Sequence, residues 1–194
     1  MNKYYLLLNI ITISSTYFHI NYINKRTKIH EFNSLPDLIV DNLPDLSDTK
    51  LLKDIVDYSI FIWILPIILN KRFDLLKFFY KFISIIYFLR TLTKFFTIMP
   101  SQGKGCTNDI RKAECYLTGY CNDKIFSGHT SITLALLLIT IDNKLIDPSL
   151  NPVLVLSHIF YVLLILSAKY HYSVDVILSY IITISLFFNF KGML

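Results

Sequence analysis

Two short stretches decide the interpretation of this chain: Cys121-Asn122-Asp123-Lys124-Ile125-Phe126-Ser127-Gly128-His129-Thr130 and His171-Tyr172-Ser173-Val174-Asp175. Each leads into an apolar run, so each is predicted to lie at the start of a helix. Four positions separate His171 from Asp175, and on a helix that spacing places both side chains on one face, one turn apart. The carboxylate can then fix the imidazole tautomer and leave the other ring nitrogen as a base or nucleophile.

The first stretch provides small residues directly before a second histidine. Ser127 and Gly128 allow backbone N–H groups to come close to a charged ligand, and His129 begins the next apolar segment. Two histidines and an orienting aspartate at the ends of apolar helices are typical of phosphoryl transfer.

The composition indicates a membrane protein. The chain has 194 residues, of which 54% are apolar and 15% aromatic, with only 5 glycines. The net charge of +5 is modest and its lysines and arginines are scattered, so no nucleic-acid partner is predicted. The three cysteines share one polar loop, where one pair can form a disulfide if the loop faces an oxidising compartment. Their spacings match no standard zinc pattern, so no metal site is predicted.

Six apolar segments predict an all-α, polytopic membrane protein with six transmembrane helices. The predicted segments are Tyr4–Ile23, Ile55–Leu69, Leu75–Met99, His129–Ile141, Val153–Ala168 and Tyr172–Phe190. The first is weakly apolar and is either a spanning helix or a signal sequence, the uncleaved helix being favoured. By parity, His129 and His171 lie at the same membrane face, and Arg90 approaches that face as well.

Two further features have open interpretations. Leu-Pro-Asp occurs at residues 35–37 and again at 43–45, in a polar stretch that is either a surface loop or a segment packed near the site. Arg90 lies in an apolar run, where a guanidinium is costly unless it is paired or functional. It either binds a phosphate bidentately or pairs with Asp37 or Asp175.

Both stretches resemble the signature motifs of the sphingomyelin synthase family, a branch of the type 2 phosphatidic acid phosphatase superfamily. That family pairs C-G-D-x-x-x-S-G-H-T with H-Y-[ST]-x-D-V, and here Asn122 replaces the glycine. Leu35-Pro36-Asp37 resembles the family's P-L-P-D segment. Phe88-Leu89-Arg90, followed by Met99-Pro100, resembles its aromatic–arginine span. Together these features cover the chain from about residue 34 to 188.

The resemblance implies one sphingomyelin-synthase-like membrane domain over residues 1–194. Residues 1–23 are its first span or signal anchor, 24–54 an exoplasmic loop, and 55–190 the catalytic helical bundle. The active site is expected on the exoplasmic side. The chain is expected to be an integral, multi-pass protein of the endomembranes (Golgi or endoplasmic reticulum) or of the plasma membrane.

The resemblance also implies transfer of a phosphocholine-type head group from a glycerophospholipid to ceramide, releasing diacylglycerol. His171 is the expected nucleophile, Asp175 its orienting group and His129 the acid–base partner. The expected substrate-binding residues are Arg90, Asp123, Ser127 and Gly128. No cofactor is expected, and the partners are these membrane lipids.

Three alternatives stay open. The head group can instead be phosphoethanolamine or phosphoinositol. The enzyme can be a lipid phosphate phosphatase, with water as the acceptor, although the chain lacks a convincing lysine–arginine motif of that class. The chain can also be an inactive membrane protein that only binds lipid.

Overall fold

A computed structural model describes residues 3–18, 34–96, 99 and 125–193. Within these ranges the chain forms helices and no strand, which confirms the all-α prediction. The described α-helices are α1 (Lys3–Phe18), α2 (Leu38–Asn42), α3 (Lys50–Leu69), α4 (Phe73–Phe96), α5 (Gly128–Asp142), α6 (Asn151–Ser167) and α7 (Ser173–Phe190). Short 3-10 turns follow at Pro148–Leu150, before α6, and at Lys191–Met193, after α7.

Each predicted apolar segment overlaps one of the six long helices. The clearest difference is the start of α3, which lies at Lys50 rather than Ile55, because a polar turn precedes the apolar run. The stretches Pro148–Ser167 and Ser173–Phe190 are long and apolar enough to cross a membrane, with mean hydropathies of 2.0 and 1.7. The apolar helix α5 is shorter. These properties agree with a helical membrane protein, and a total of six crossings stays a prediction.

Helix α5 is the centre of the bundle. It contacts α3, α4, α6 and α7, and 10 of its 15 residues are buried. Its inner side chains join a core in which the rings of Phe78 and Phe82 pack edge-on against Phe187. Helix α1 packs along α4, where the side-chain amide of Asn9 donates to the Tyr80 hydroxyl at 2.6 Å. The helix that begins with the Ser-Gly-His motif is therefore the most enclosed of the bundle.

The bundle is apolar outside and partly polar inside. Large side chains such as Phe61, Ile62 and Phe160 are exposed on its surface. Buried hydroxyls bond within their own helices, as when Ser84 donates to the Tyr80 carbonyl and Thr91 to the Tyr87 carbonyl. Since lipid provides no hydrogen-bond partners, this distribution suits a membrane environment.

The helix connections form two polar ends. We call the end with the starts of α5 and α7 the site end. The far end comprises residues 70–72, 143–147 and 191. At the far end the Asn70 side chain donates to the Leu145 carbonyl at 2.9 Å, and Lys191 pairs with Asp142 at 3.0 Å. At the site end Lys169 makes a tight turn between α6 and α7, with a φ of 56°.

The first Leu-Pro-Asp segment packs against the site end. Asp37 caps α2 by accepting hydrogen bonds from the backbone of Ile39 and Val40, both at 3.1 Å. Its other carboxylate oxygen accepts from Ser173 N, at the start of α7, at 2.6 Å. Leu35 N donates to the Tyr172 hydroxyl at 3.0 Å. Of the two interpretations of this segment, the structure therefore supports packing near the site.

These hydrogen bonds stabilise the charged form of Asp37. Burial acts to raise the pKa of this carboxyl, but the bonds from Ser173, Val40 and Ile39 outweigh it and leave the pKa below its usual 3.8. Because the pKa of Asp37 is lowered in the folded state, its ionised carboxylate stabilises the fold fully at pH values above the ordinary pKa. That contribution is lost as the pH falls through the folded-state pKa.

The repeated tripeptide provides a matched test. Asp45, in the second copy, is exposed and accepts a local hydrogen bond from Ser47 N. At pH 7 we expect Asp37→Ala to lower the free energy of unfolding by about 1–3 kcal/mol, because the start of α7 and a helix cap lose a charged acceptor. Asp45→Ala is expected to have less than half that effect. Thermal unfolding in detergent measures both, and equal effects would show that Asp37 does not anchor the segment.

Candidate functional site

The start of α7 brings His171 and Asp175 together. Both side chains are almost fully buried, and His171 Nδ1 lies 3.5 Å from Asp175 Oδ2. The same carboxylate oxygen accepts a hydrogen bond from Tyr172 N at 3.0 Å. Asp175 therefore caps the helix and also places a negative charge beside the imidazole. Its position in the first turn is favoured by the helix dipole as well.

Ser127 joins the two sequence motifs. Its backbone N–H donates to the Asp175 carbonyl at 3.4 Å, and its own carbonyl accepts from the Ser179 hydroxyl at 3.1 Å. Its hydroxyl caps α5 by accepting from Thr130 N at 3.3 Å. Ser127 is fully buried and engaged within the protein. Its expected role in substrate binding stays a prediction.

The residue before Ser127 has a left-handed backbone conformation. Phe126 has a φ of 75°, a conformation that usually costs a non-glycine residue about 1–3 kcal/mol. Its side chain is completely buried in the core around Leu136 and Phe187. Burial of a phenylalanine side chain stabilises by about 1.5–3 kcal/mol, which offsets the strain. The turn before His129 is therefore fixed by packing.

His129 lies on the first turn of α5 and contacts a carboxylate from α3. Its Nε2 is 3.1 Å from Asp57 Oδ1, and the imidazole is 18% exposed. The Tyr170 ring stacks on the imidazole at 5.8 Å, nearly parallel. Burial raises the pKa of the Tyr170 phenol, and the negative charges of Asp57 and Asp54 raise it further, so this neighbour stays neutral.

The two histidines face each other across the site. Their ring centroids are 6.5 Å apart, and the ring planes are inclined by 64°. The two imidazoles are therefore neighbours at the site end.

Arg90 lies directly against the start of α5. Its side chain is buried, and a Cβ added to Gly128 would collide with Arg90 Nη1 and come within 3.2 Å of Cζ. The same Cβ would be 3.6 Å from the Tyr87 hydroxyl. Gly128 is thus the residue that lets the guanidinium come this close, next to His129. The structure brings Arg90 to the predicted site.

Other predicted features lie outside the described residues. These are Asp123 and the three cysteines, Cys106, Cys115 and Cys121. Within the described ranges, no group of three or more histidine, cysteine or acidic side chains is placed to bind a metal.

Asp57 is the site residue that the sequence analysis missed. It lies within the predicted second span, where it is the only charged residue between Ile55 and Leu69. An ionisable group in such a run indicates a functional or paired side chain. Its partner, however, is 72 positions away and cannot be identified from spacing.

Comparison with known proteins relates this part of the chain to a family. Residues 120–192 match the family model described as PAP2 superfamily C-terminal, a range that includes both histidines and Asp175. The C-terminal part of the chain is therefore similar to the PAP2 superfamily. The chain is 29% identical to mouse (Mus musculus) sphingomyelin synthase-related protein 1, over 79% of this chain and 37% of that protein. The human (Homo sapiens) protein of the same name is 27% identical, over 79% of this chain and 42% of its own length.

These similarities support the sphingomyelin synthase family within the superfamily, as the motifs predicted. The chain spans about two fifths of the length of the curated relatives it matches.

The two glycines described in the structure allow a direct test of the Arg90 contact. Gly192 has open space where a Cβ would be added. We expect Gly128→Ala to lower the free energy of unfolding by about 1–3 kcal/mol through overpacking, and Gly192→Ala to have almost no effect. In an Arg90→Ala background, Gly128→Ala is expected to be nearly neutral. Thermal unfolding of the four variants measures this, and an undiminished effect in that background would rule out the Arg90 contact.

Proposed function

We propose that this chain is a lipid phosphotransferase that moves a phosphocholine-type head group from a glycerophospholipid to ceramide. The products are a sphingophospholipid and diacylglycerol. The observation that carries the proposal is the pair of facing histidines, each with its own carboxylate: His171 beside Asp175, and His129 beside Asp57. The similarity to sphingomyelin synthase-related proteins supports this class of lipid chemistry.

In the first step, the Nε2 lone pair of His171 attacks the phosphorus. The bond from phosphorus to the diacylglycerol oxygen breaks, and the leaving alkoxide takes a proton from His129. Asp175, next to His171 Nδ1, stabilises the positive charge that develops on the ring. In the second step, His129 takes the proton of the ceramide hydroxyl. The hydroxyl oxygen attacks phosphorus, and the bond from nitrogen to phosphorus breaks.

Burial differs between the two histidines in a way that suits these roles. His171 is 4% exposed in its side chain and lies in a low-dielectric environment, where the charge on Asp175 acts strongly. His129 is more accessible, which allows a leaving group and then an acceptor to reach it in turn. Asp57 contacts His129 Nε2 and can orient its ring, and Arg90, which lies against Gly128, is the cation that we assign to the phosphate oxygens.

Hydrolysis is the second candidate function, because the same residues serve when water replaces ceramide. Product analysis distinguishes the candidates. Purified protein is incubated with labelled ceramide and liposomes that contain phosphatidylcholine, phosphatidylethanolamine, phosphatidylinositol and phosphatidic acid. We expect labelled sphingophospholipid and diacylglycerol in equal amounts, and no product from His171→Ala. Free phosphate or free head group without labelled lipid would indicate a phosphatase. No turnover of any donor would contradict both.

The carboxylates are expected to differ in how strongly they affect transfer. Asp175→Asn keeps the helix cap but removes the charge beside His171, so we expect a loss of roughly a hundred-fold or more. Asp57→Asn affects the acid–base partner, and we expect a loss of roughly ten-fold. Asp54→Asn, on the exposed face of the same helix, is the matched control and should stay within about two-fold.

Transfer of labelled head group at matched expression measures all three variants. His129→Ala should be nearly inactive, and His129→Ala with His171→Ala no worse than His171→Ala alone, because residues that act as a unit are not additive. A nearly active Asp175→Asn protein would remove this aspartate from the mechanism.

A further inference from the structure

A group of basic side chains lies at the far end of the bundle, away from both histidines. A cleft of about 380 Å³ opens between α1, the first half of α4 and the end of α7. Three basic side chains line it: Arg72, Lys77 and Lys81. Among the described residues, Asp74 is the one carboxylate that lines it.

The Asp74 carboxylate already forms an ion pair within the cleft. Arg72 Nη2 lies 2.8 Å from Asp74 Oδ2, and Arg72 Nε donates to Asp74 Oδ1 at 3.0 Å. This pair neutralises one of the three positive charges and leaves those of Lys77 and Lys81. These two lysines are four positions apart on α4, so they share a face one turn apart, and both are exposed. Two neighbouring ammonium groups attract an anion placed between them.

The wall beneath these lysines is apolar. It includes Leu75, Phe78 and Phe82, which belong to the buried core, together with Ile85 and Phe190. Lys81 Nζ lies 5.9 Å from the centroid of the Tyr5 ring, so α1 closes the cleft on one side. A ligand that fits this lining has an anionic group at one end and hydrocarbon at the other.

We propose that the cleft binds a phospholipid with a net negative charge. The phosphate lies between Lys77 and Lys81, and an acyl chain packs against Ile85 and the phenylalanine wall. Lysine binds phosphate as a point charge, while its hydrocarbon stem covers apolar surface. A zwitterionic lipid is bound less well because its choline group is repelled by the same lysines. On the predicted topology, which places the histidines on the exoplasmic side, the far end meets the cytoplasmic leaflet, where anionic lipids concentrate.

The test measures lipid binding rather than turnover, so it is independent of the proposed transferase activity. Full-length protein is placed in nanodiscs of phosphatidylcholine, and immobilisation of spin-labelled phosphatidylserine or phosphatidylcholine is followed by electron paramagnetic resonance. We expect preferential immobilisation of phosphatidylserine, reduced by high salt. Lys77→Gln with Lys81→Gln should lower that preference by about ten-fold or more.

The matched control removes the same charge from the same end of the bundle. Lys71 and Lys144 are exposed at the far end and do not line the cleft, so Lys71→Gln with Lys144→Gln should leave the preference unchanged. Equal losses in the two double variants would show attraction by general surface charge and would overturn the proposal. Displacement of the spin-labelled lipid by soluble glycerophosphoserine, which lacks acyl chains, would also overturn the proposal. Unchanged thermal unfolding of both variants confirms that neither has lost its fold.

Discussion

The hydrogen bonds of Asp175 connect two parts of the site that are far apart in the sequence. Its carboxylate binds Tyr172 N and lies beside His171, and its carbonyl accepts from Ser127 N and from the Ser179 hydroxyl at 2.7 Å. Because Ser127 is two residues before His129, this one aspartate fixes the start of α7 relative to the start of α5. One side chain thus caps the helix and, in the proposed mechanism, also orients the histidine. An asparagine amide could still cap the helix, but it lacks the negative charge that Asp175 places beside His171.

Satisfied polar groups inside an apolar exterior make this arrangement stable. The buried His158 illustrates the pattern, since its Nε2 bonds the Thr133 hydroxyl at 3.0 Å and its Nδ1 the Tyr180 hydroxyl at 2.7 Å. It links α5, α6 and α7 well inside the bundle. Groups of this kind are expensive to leave without partners in lipid, so each interhelical bond also specifies how the helices are placed. The positions of the site residues depend on that placement, since His129 and Asp175 lie on the first turns of α5 and α7 and His171 lies just before α7.

Most of the fold could be predicted from the sequence because the helix ends carry strong local signals. The predicted segment Val153–Ala168 corresponds to α6 at Asn151–Ser167, where Pro148 and Lys169 mark the limits. The closeness of His171 and Asp175 was predictable, but its predicted cause was wrong: His171 precedes α7, and it meets Asp175 because Asp175 caps the start of that helix. Asp57 was not predictable, because its contact with His129 depends on how α3 packs against α5. The bond from Asp37 to Ser173 N is likewise a tertiary contact across 136 positions.

In the proposed mechanism, the choice of acceptor depends on features that the two histidines and Asp175 do not determine. A phosphohistidine reacts with whichever hydroxyl reaches it, and water always competes with a lipid. Holding an acceptor in place is equivalent to effective molarities of about 10⁵–10⁸ M, enough to favour a bound hydroxyl over solvent. The His129 imidazole is 18% exposed, beside the Tyr170 ring and Asp57, whereas the His171 side chain is 4% exposed. In the proposed mechanism the acceptor therefore approaches His129, and a bound lipid hydroxyl displaces water from the more exposed histidine. On that mechanism, transfer rather than hydrolysis requires that the acceptor lipid be bound before the phosphohistidine meets water, so specificity depends on the surface around His129 rather than on His171 and Asp175.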